Sequence, residues 1–268
     1  MSTGGRAPEA WALTIIAGLL TVGSAATDIM TFTRLGSVFA SVMTSNIVFL
    51  GLAAARHSGT LAAHAAISFA GYAIGVFTGS RLARHRWRHD HGGASPWTRG
   101  VAAALAMEAA VLIGFTIGWE VTGTHPSGGP QLLLVVLATI AMGLQSAVVV
   151  VLNISGVGTT YLTGTLTSLI DSLASPGEER GTASRREANL RRATALAALV
   201  IGALLAGLLI SAAPAAVPAL PLAALAVVLT IGRRLLAPPR TPAPHRTPAP
   251  LPEPARPPEP APHQASED

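Results

Sequence analysis

Two carboxylic acids sit inside long uncharged runs. Asp28 lies in the last third of an apolar stretch that begins at Trp11, and Glu108 lies near the middle of one that begins at Arg99. A charge at the centre of a bilayer costs at least about 2.5 kcal/mol, so each acid must face an interior, meet a partner or hold a proton. No arginine sits mid-run to pair with them, and the chain has no lysine. A protonatable carboxyl is the economical reading, which makes Asp28 and Glu108 candidates for proton coupling. The plainer reading is a neutral acid hydrogen-bonded to a neighbouring helix. Gln145, also mid-run, is either a solute contact or interhelical glue.

A second polar set lies in Ser155–Asp171, SGVGTTYLTGTLTSLID, which is apolar enough for a membrane yet rich in threonine and glycine. On a helix, Thr160, Thr163 and Thr167 share a face, with Gly164 and Asp171 close by. Lipid offers a hydroxyl no partner, so such a stripe is expected to face protein or a wet cavity. It could coordinate a solute. Threonine and glycine are equally the usual packing surface of membrane helices, and threonine can bond the carbonyl one turn back. A weaker copy occurs at Gly36–Gly51, GSVFASVMTSNIVFLG, where Ser37, Ser41 and Ser45 form a stripe with Asn46, beside Thr44. The expected solute site is therefore Asp28, Thr44, Asn46, Gln145, Thr160, Thr163 and Thr167. The turn Asn153–Gly158 is either a weak anion site at a helix start or an ordinary interfacial turn.

The elements that must position these residues follow from composition. Half of the 268 residues are hydrophobic and only 12% are charged, against about 25% in a soluble domain. Apolar segments fall at Trp11–Thr33, Ser37–Ala55, Leu61–Leu82, Arg99–Trp119, Gln131–Leu152, Thr159–Ala174, Ala193–Ala213 and Val217–Ile231. Most are long enough to span about 30 Å as helix, which predicts an all-α polytopic membrane bundle and not a barrel.

Charge then limits the crossings. Arg81, Arg84, Arg86, Arg88 and Arg99 mark one connection, Arg180, Arg185, Arg186, Arg191 and Arg192 a second, and Arg233 and Arg234 follow the last segment. The positive-inside rule makes all three cytoplasmic. Three full crossings between the two basic connections would put them on opposite sides, so one segment should not cross. Thr159–Ala174 is the shortest and most polar. The same argument makes Ser37–Ala55 re-entrant or broken, giving six full spans plus two partial ones in two inverted halves. Eight spans with parallel halves is the alternative. Gly23 aligns with Gly143 and Gly36 with Gly156, which supports a repeat.

The domain reading is a polar cytoplasmic lead over 1–10, membrane halves over 11–120 and 121–236, and a disordered proline-rich cytoplasmic tail over 237–268. Arg6 and Ser24-Ala25-Ala26 would suit a cleaved leader, but the run is long for one and its end recurs later in the chain.

Several function classes are set aside. Without cysteine there is no disulfide, thiolate metal site or thiol catalysis. The histidines of His85–Gly93, HRWRHDHGG, lie among arginines in a loop that reads as solvated, so no metal site is assigned. P-loop, dinucleotide, HExxH and GxSxG signatures are missing, so no enzyme and no cofactor are expected. A net charge of +5 could suggest nucleic acid, but the arginines lie between apolar segments, where they orient a membrane protein. Arginine without lysine, with abundant alanine, is the bias of a GC-rich bacterial genome. The expectation is a multi-pass protein of a bacterial inner membrane that moves a small solute, its partners being the bilayer, the solute and, as an option, a second copy of itself. The alternative is a non-transporting scaffold or sensor with a cytoplasmic partner.

Several of these pieces resemble the YoaK family of bacterial integral membrane proteins, a domain of unknown function. They are Asp28, Gly36-Ser37-Val38-Phe39 running into Met43-Thr44-Ser45-Asn46, Met142-Gly143-Leu144-Gln145, and Gly156 through Thr167. Ser45 stands where the family pattern has glycine, and Ser146 where it has asparagine. The resemblance spans Ala12 to Arg234 and implies six spans. It implies no substrate.

Overall fold

The structure, a computed structural model, describes residues 6–85, 97–152, 162–174 and 182–236. They form eight α-helices and no strand: α1 (Arg6–Arg34), α2 (Met43–Ala55), α3 (Gly59–His85), α4 (Arg99–Thr122), α5 (Gly128–Val151), α6 (Leu162–Ala174), α7 (Thr182–Ala212) and α8 (Ala219–Ile231). A short 3-10 turn (Pro214–Ala216) precedes α8, and a π turn (Gly232–Leu236) extends it.

Six of these helices are long and apolar enough to cross a membrane; α8 reaches that length together with its flanking turns. α2 and α6 have 13 residues each, about 20 Å of helix, too short for a hydrocarbon core of about 30 Å. Among the described residues, six and not eight helices have spanning length. Both short helices begin and end in the same register of the repeat, one residue from that set by Gly36 and Gly156.

Hydroxyls inside the spans are largely satisfied locally. Thr21, Thr27, Thr31 and Thr139 each donate to the carbonyl four residues back, at 2.8–3.1 Å. The start of α4 is capped by Thr98, whose side chain accepts from the Val101 amide at 3.2 Å. Beyond its end, Gly123 at φ +77° turns the chain toward α5.

The helices pair in a pattern that returns on itself when each is exchanged for the one four places on. α1 packs on α7 and α8, and α5 packs on α3 and α4; α2 lies on α3 and α6 on α7. Two further pairs, α1 with α5 and α4 with α8, map onto themselves. The α3–α4 pairing has no comparable counterpart between α7 and α8 among the described residues, and α2 packs on α3 more extensively than α6 on α7. Burial repeats too: α1 and α5 are the most enclosed, α4 and α8 intermediate, and α3 and α7 the most exposed. Each half supplies three of the helices that are long and apolar enough to span.

The tightest seam lies between α3 and α5. Gly71, Gly75 and Gly79 on α3 meet Thr139, Gly143 and Ala147 on α5, both series at four-residue spacing. A Cβ on Gly75 would collide with the Ile140 carbonyl oxygen, and one on Gly143 with that of Tyr72. Close backbone approach of this kind is how membrane helices associate without a hydrophobic driving force between them.

Contacts between helix ends sort the bundle into two poles. At one, Arg34 bonds His125, His64 faces Gln131, and the Trp119 indole donates to the Pro214 carbonyl at 3.1 Å. At the other, Gly100 abuts the Ala83 carbonyl and the Trp97 ring covers Gly232. Arg84, Arg99, Arg233 and Arg234 gather at this second pole.

Candidate functional site

Between α1 and α2 the chain is not helical over residues 35–42, although Leu35, Val38, Ala40 and Ser41 are buried. Irregular backbone in an apolar setting needs its polar groups met from elsewhere. Two side chains do this. Asp28, one turn and a half before the end of α1, accepts on Oδ1 from the amides of Ala40 and Ser41, both at 2.8 Å. Its Oδ2 accepts from the Ser41 hydroxyl at 2.5 Å. Asn46, one turn into α2, takes both backbone groups of Phe39: Oδ1 accepts from its amide at 3.0 Å, and Nδ2 donates to its carbonyl at 2.7 Å. The carboxylate and the carboxamide hold three successive residues from opposite sides. The Ser37–Ala55 segment, expected to be re-entrant or broken, is helical only from Met43.

The remaining expected site residues are not drawn to this clasp. Thr44 is exposed at the start of α2. Gln145 is buried on α5, where Nε2 donates to the Leu20 carbonyl of α1 at 3.0 Å. Glu108 is buried on α4, and its Oε2 has no hydrogen-bond partner among the described residues. Thr163 and Thr167 are exposed on α6, with Thr167 donating to the Thr163 carbonyl at 3.0 Å. The face that α6 buries carries Thr165, and Ser168 and Ser172 meet Arg192 and Asn189 of α7. Thr160, the turn Asn153–Gly158, residues 86–96 of the histidine-rich loop and the tail 237–268 lie outside the described residues. Among the described residues no group of three potential metal ligands occurs.

The space next to the clasp is a cavity of about 470 Å³ at the pole of His64 and Gln131, bounded by the end of α1, by α2 and by the first turns of α3 and α5. Phe32, Phe49, Ser37, Arg56, His64 and Gln131 line it. Phe39, the residue gripped by Asn46, stacks between Phe32 and Phe49, with ring centroids 5.0 and 6.1 Å away. The His64 Nδ1 donates to the Thr60 carbonyl at 2.7 Å, which turns Nε2 toward Gln131 at 3.3 Å. Gly36, at φ +105°, lies under the imidazole where a Cβ would overlap the ring. Sequence reasoning missed this cavity. Gly36-Ser37 at the end of an apolar run is its one local signal.

Fold and site together define a polytopic α-helical membrane protein with an unwound segment beside a cavity of mixed polar and apolar lining. The chain belongs to the family described as protein of unknown function (DUF1275), whose model matches residues 11–231. It is 30% identical over 156 residues to the UPF0700 transmembrane protein YoaK of Bacillus subtilis (strain 168). That match covers 58% of this chain and 65% of the relative's length. No solved structure matches.

Proposed function

We propose that the protein is a multi-pass protein of a bacterial inner membrane that carries a small solute across it. The observation that supports this most is the unwound segment 35–42, held by Asp28 and Asn46 and bordering the cavity. Inverted halves with a broken element at a solute site are the design of many secondary transporters. The arginine-bearing pole is cytoplasmic by the positive-inside rule, which makes the cavity pole external and the tail cytoplasmic. Of the two buried acids, Asp28 is occupied by three donors, whereas Glu108 keeps an oxygen without a partner among the described residues. Proton coupling is therefore assigned to Glu108, and Asp28 positions the unwound segment.

The test is uptake of labelled solutes of several chemical classes into proteoliposomes, with and without an imposed proton gradient. Glu108→Gln is expected to keep the protein folded and to cut gradient-driven uptake at least about tenfold, a barrier change of about 1.4 kcal/mol. Gradient-driven uptake that ignores the substitution removes Glu108 from the coupling. Failure of every solute class to move favours the second reading, a non-transporting scaffold or sensor. That reading draws on the backbone-bonded threonines and the close glycine seam.

Sidedness has its own check. The chain has no cysteine, so single cysteines at Ser58, Ser95, Ser127 and Ser175 are clean reporters. Ser95 and Ser175 are expected to label only from the cytoplasmic side, and Ser58 and Ser127 only from outside. Labelling of Ser95 and Ser175 from opposite sides would contradict the six-span arrangement.

A further inference from the structure

We infer that the cavity between α1, α2 and α3 binds a small organic monocarboxylate. The proposal rests on the solute-carrying reading for its role and names the chemical class that this site would take. The first argument is charge. Of the residues lining the cavity, Arg56 is the one with a fixed formal charge, and none is an aspartate or glutamate. Around it stand donors that suit an anion: the hydroxyls of Ser37 and Thr60, and the Gln131 amide. Arg56 is exposed and has no ionic partner among the described residues, so its planar fork is free to take a carboxylate from two sides.

The second argument is the apolar part of the lining. Phe32, Phe49, Leu52 and Leu61 give the cavity an apolar half, which an inorganic anion would leave unused. A volume of about 470 Å³ falls within the usual range for organic ligands, about 300–1,000 Å³. A cationic group and aromatic rings in one lining select a molecule with one acid and an apolar body.

The third argument ties occupancy to the fold. A ligand against Phe32 and Phe49 touches the two rings between which Phe39 stacks, and Phe39 is the residue whose backbone Asn46 holds. The rim is also held in an uncommon conformation: Ser37 at φ +58° and His57 at φ +49° are left-handed without being glycine. Binding is therefore placed to act directly on the unwound segment.

The experiment uses the purified full-length protein in detergent, titrated with benzoate and butyrate and followed by thermal shift and calorimetry. Benzamide and butyramide serve as neutral partners of matching shape. Saturable stabilisation by the acids and little by the amides is expected. Arg56→Gln should weaken acid binding at least about tenfold, about 1.4 kcal/mol, with its ligand-free thermal midpoint unchanged because the side chain is exposed. Equal binding by acid and amide, undiminished binding by Arg56→Gln, or no binding of either acid overturns the proposal. So does stabilisation by phosphatidylglycerol alone, which would assign Arg56 to a lipid headgroup. Binding with these properties but no uptake in proteoliposomes leaves the site standing and removes the transport role; uptake indifferent to Arg56→Gln does the reverse.

Discussion

Asp28→Ala is expected to lower the stability of the purified protein by about 3–5 kcal/mol, whereas Asp28→Asn is expected to cost about 1 kcal/mol. The difference comes from what each variant leaves unpaired. Alanine removes the acceptor for two buried amides and for the Ser41 hydroxyl. Each buried donor left without a partner costs about 1–3 kcal/mol. Asparagine keeps an oxygen where Oδ1 stands, so both amides remain bonded. Its amide replaces the second oxygen, and the Ser41 hydroxyl can turn to accept from it. Unfolding in graded denaturant measures both variants. If alanine is as stable as the parent protein, Asp28 does not hold the unwound segment in place. The pair also separates two roles for this acid. A positioning role predicts that Asp28→Asn keeps most solute uptake, while a proton carrier would lose it with the fold intact.

The same clasp shows where the sequence could and could not be read. All eight helices were legible as apolar runs, because hydropathy over many residues sums into a strong signal. That Ser37–Ala55 is a partial element was legible from the charges, but where its helix begins was not. Nothing within Ser37–Val42 forbids helix as strongly as Asp28 and Asn46 hold it out of one, and those residues lie 9 and 4 positions away along the chain. Their effect exists only once the chain has folded back.

The threonine stripe differs for another reason. Thr163 and Thr167 do share a face, but α6 rests on α7 through a different edge, that of Thr165, Ser168 and Ser172. Periodicity gives the relative directions of side chains on a helix, while the neighbour decides which direction is inward. The cavity was the least legible feature, since residues from four helices and two connecting turns build it and no one segment is unusual enough to announce it.

The clasp also marks a difference between the halves. In the register set by Gly36 and Gly156, Val148 stands where the first half has Asp28, and Thr165 matches Asn46 once the one-residue shift of α6 is applied. Thr165 is buried as Asn46 is, so the position on the short helix is kept while its carboxamide is not. The polar grip on unwound backbone is described in the first half; the matching turn of the second half lies outside the described residues.

The packing of α3 on α5 supplies the other large effect. Gly143→Ala and Gly75→Ala are each expected to disrupt folding, and Gly164→Ala and Gly114→Ala are expected to be neutral or mildly stabilising. At Gly143 a Cβ would overlap the Tyr72 carbonyl and crowd Gly75, and at Gly75 it would overlap the Ile140 carbonyl. All of these neighbours are backbone, which cannot swing aside as a side chain can, so α3 and α5 must separate along the seam. Overpacking a close interface typically costs about 1–3 kcal/mol and more where backbone must move. Separation there also loosens the adjoining contacts Gly71–Thr139 and Gly79–Ala147. A methyl group added at Gly164 or Gly114 would meet nothing within 4 Å, so alanine at either position adds no clash and recovers up to about 1 kcal/mol of helix propensity. Yield of monodisperse protein and the thermal midpoint read all four. Tolerance of alanine at both Gly75 and Gly143 would mean that α3 and α5 do not approach so closely. Because α5 carries Gln131 to the cavity and Gln145 to α1, a parted seam should also weaken any ligand that the cavity binds, linking the packing of one half to the site in the other.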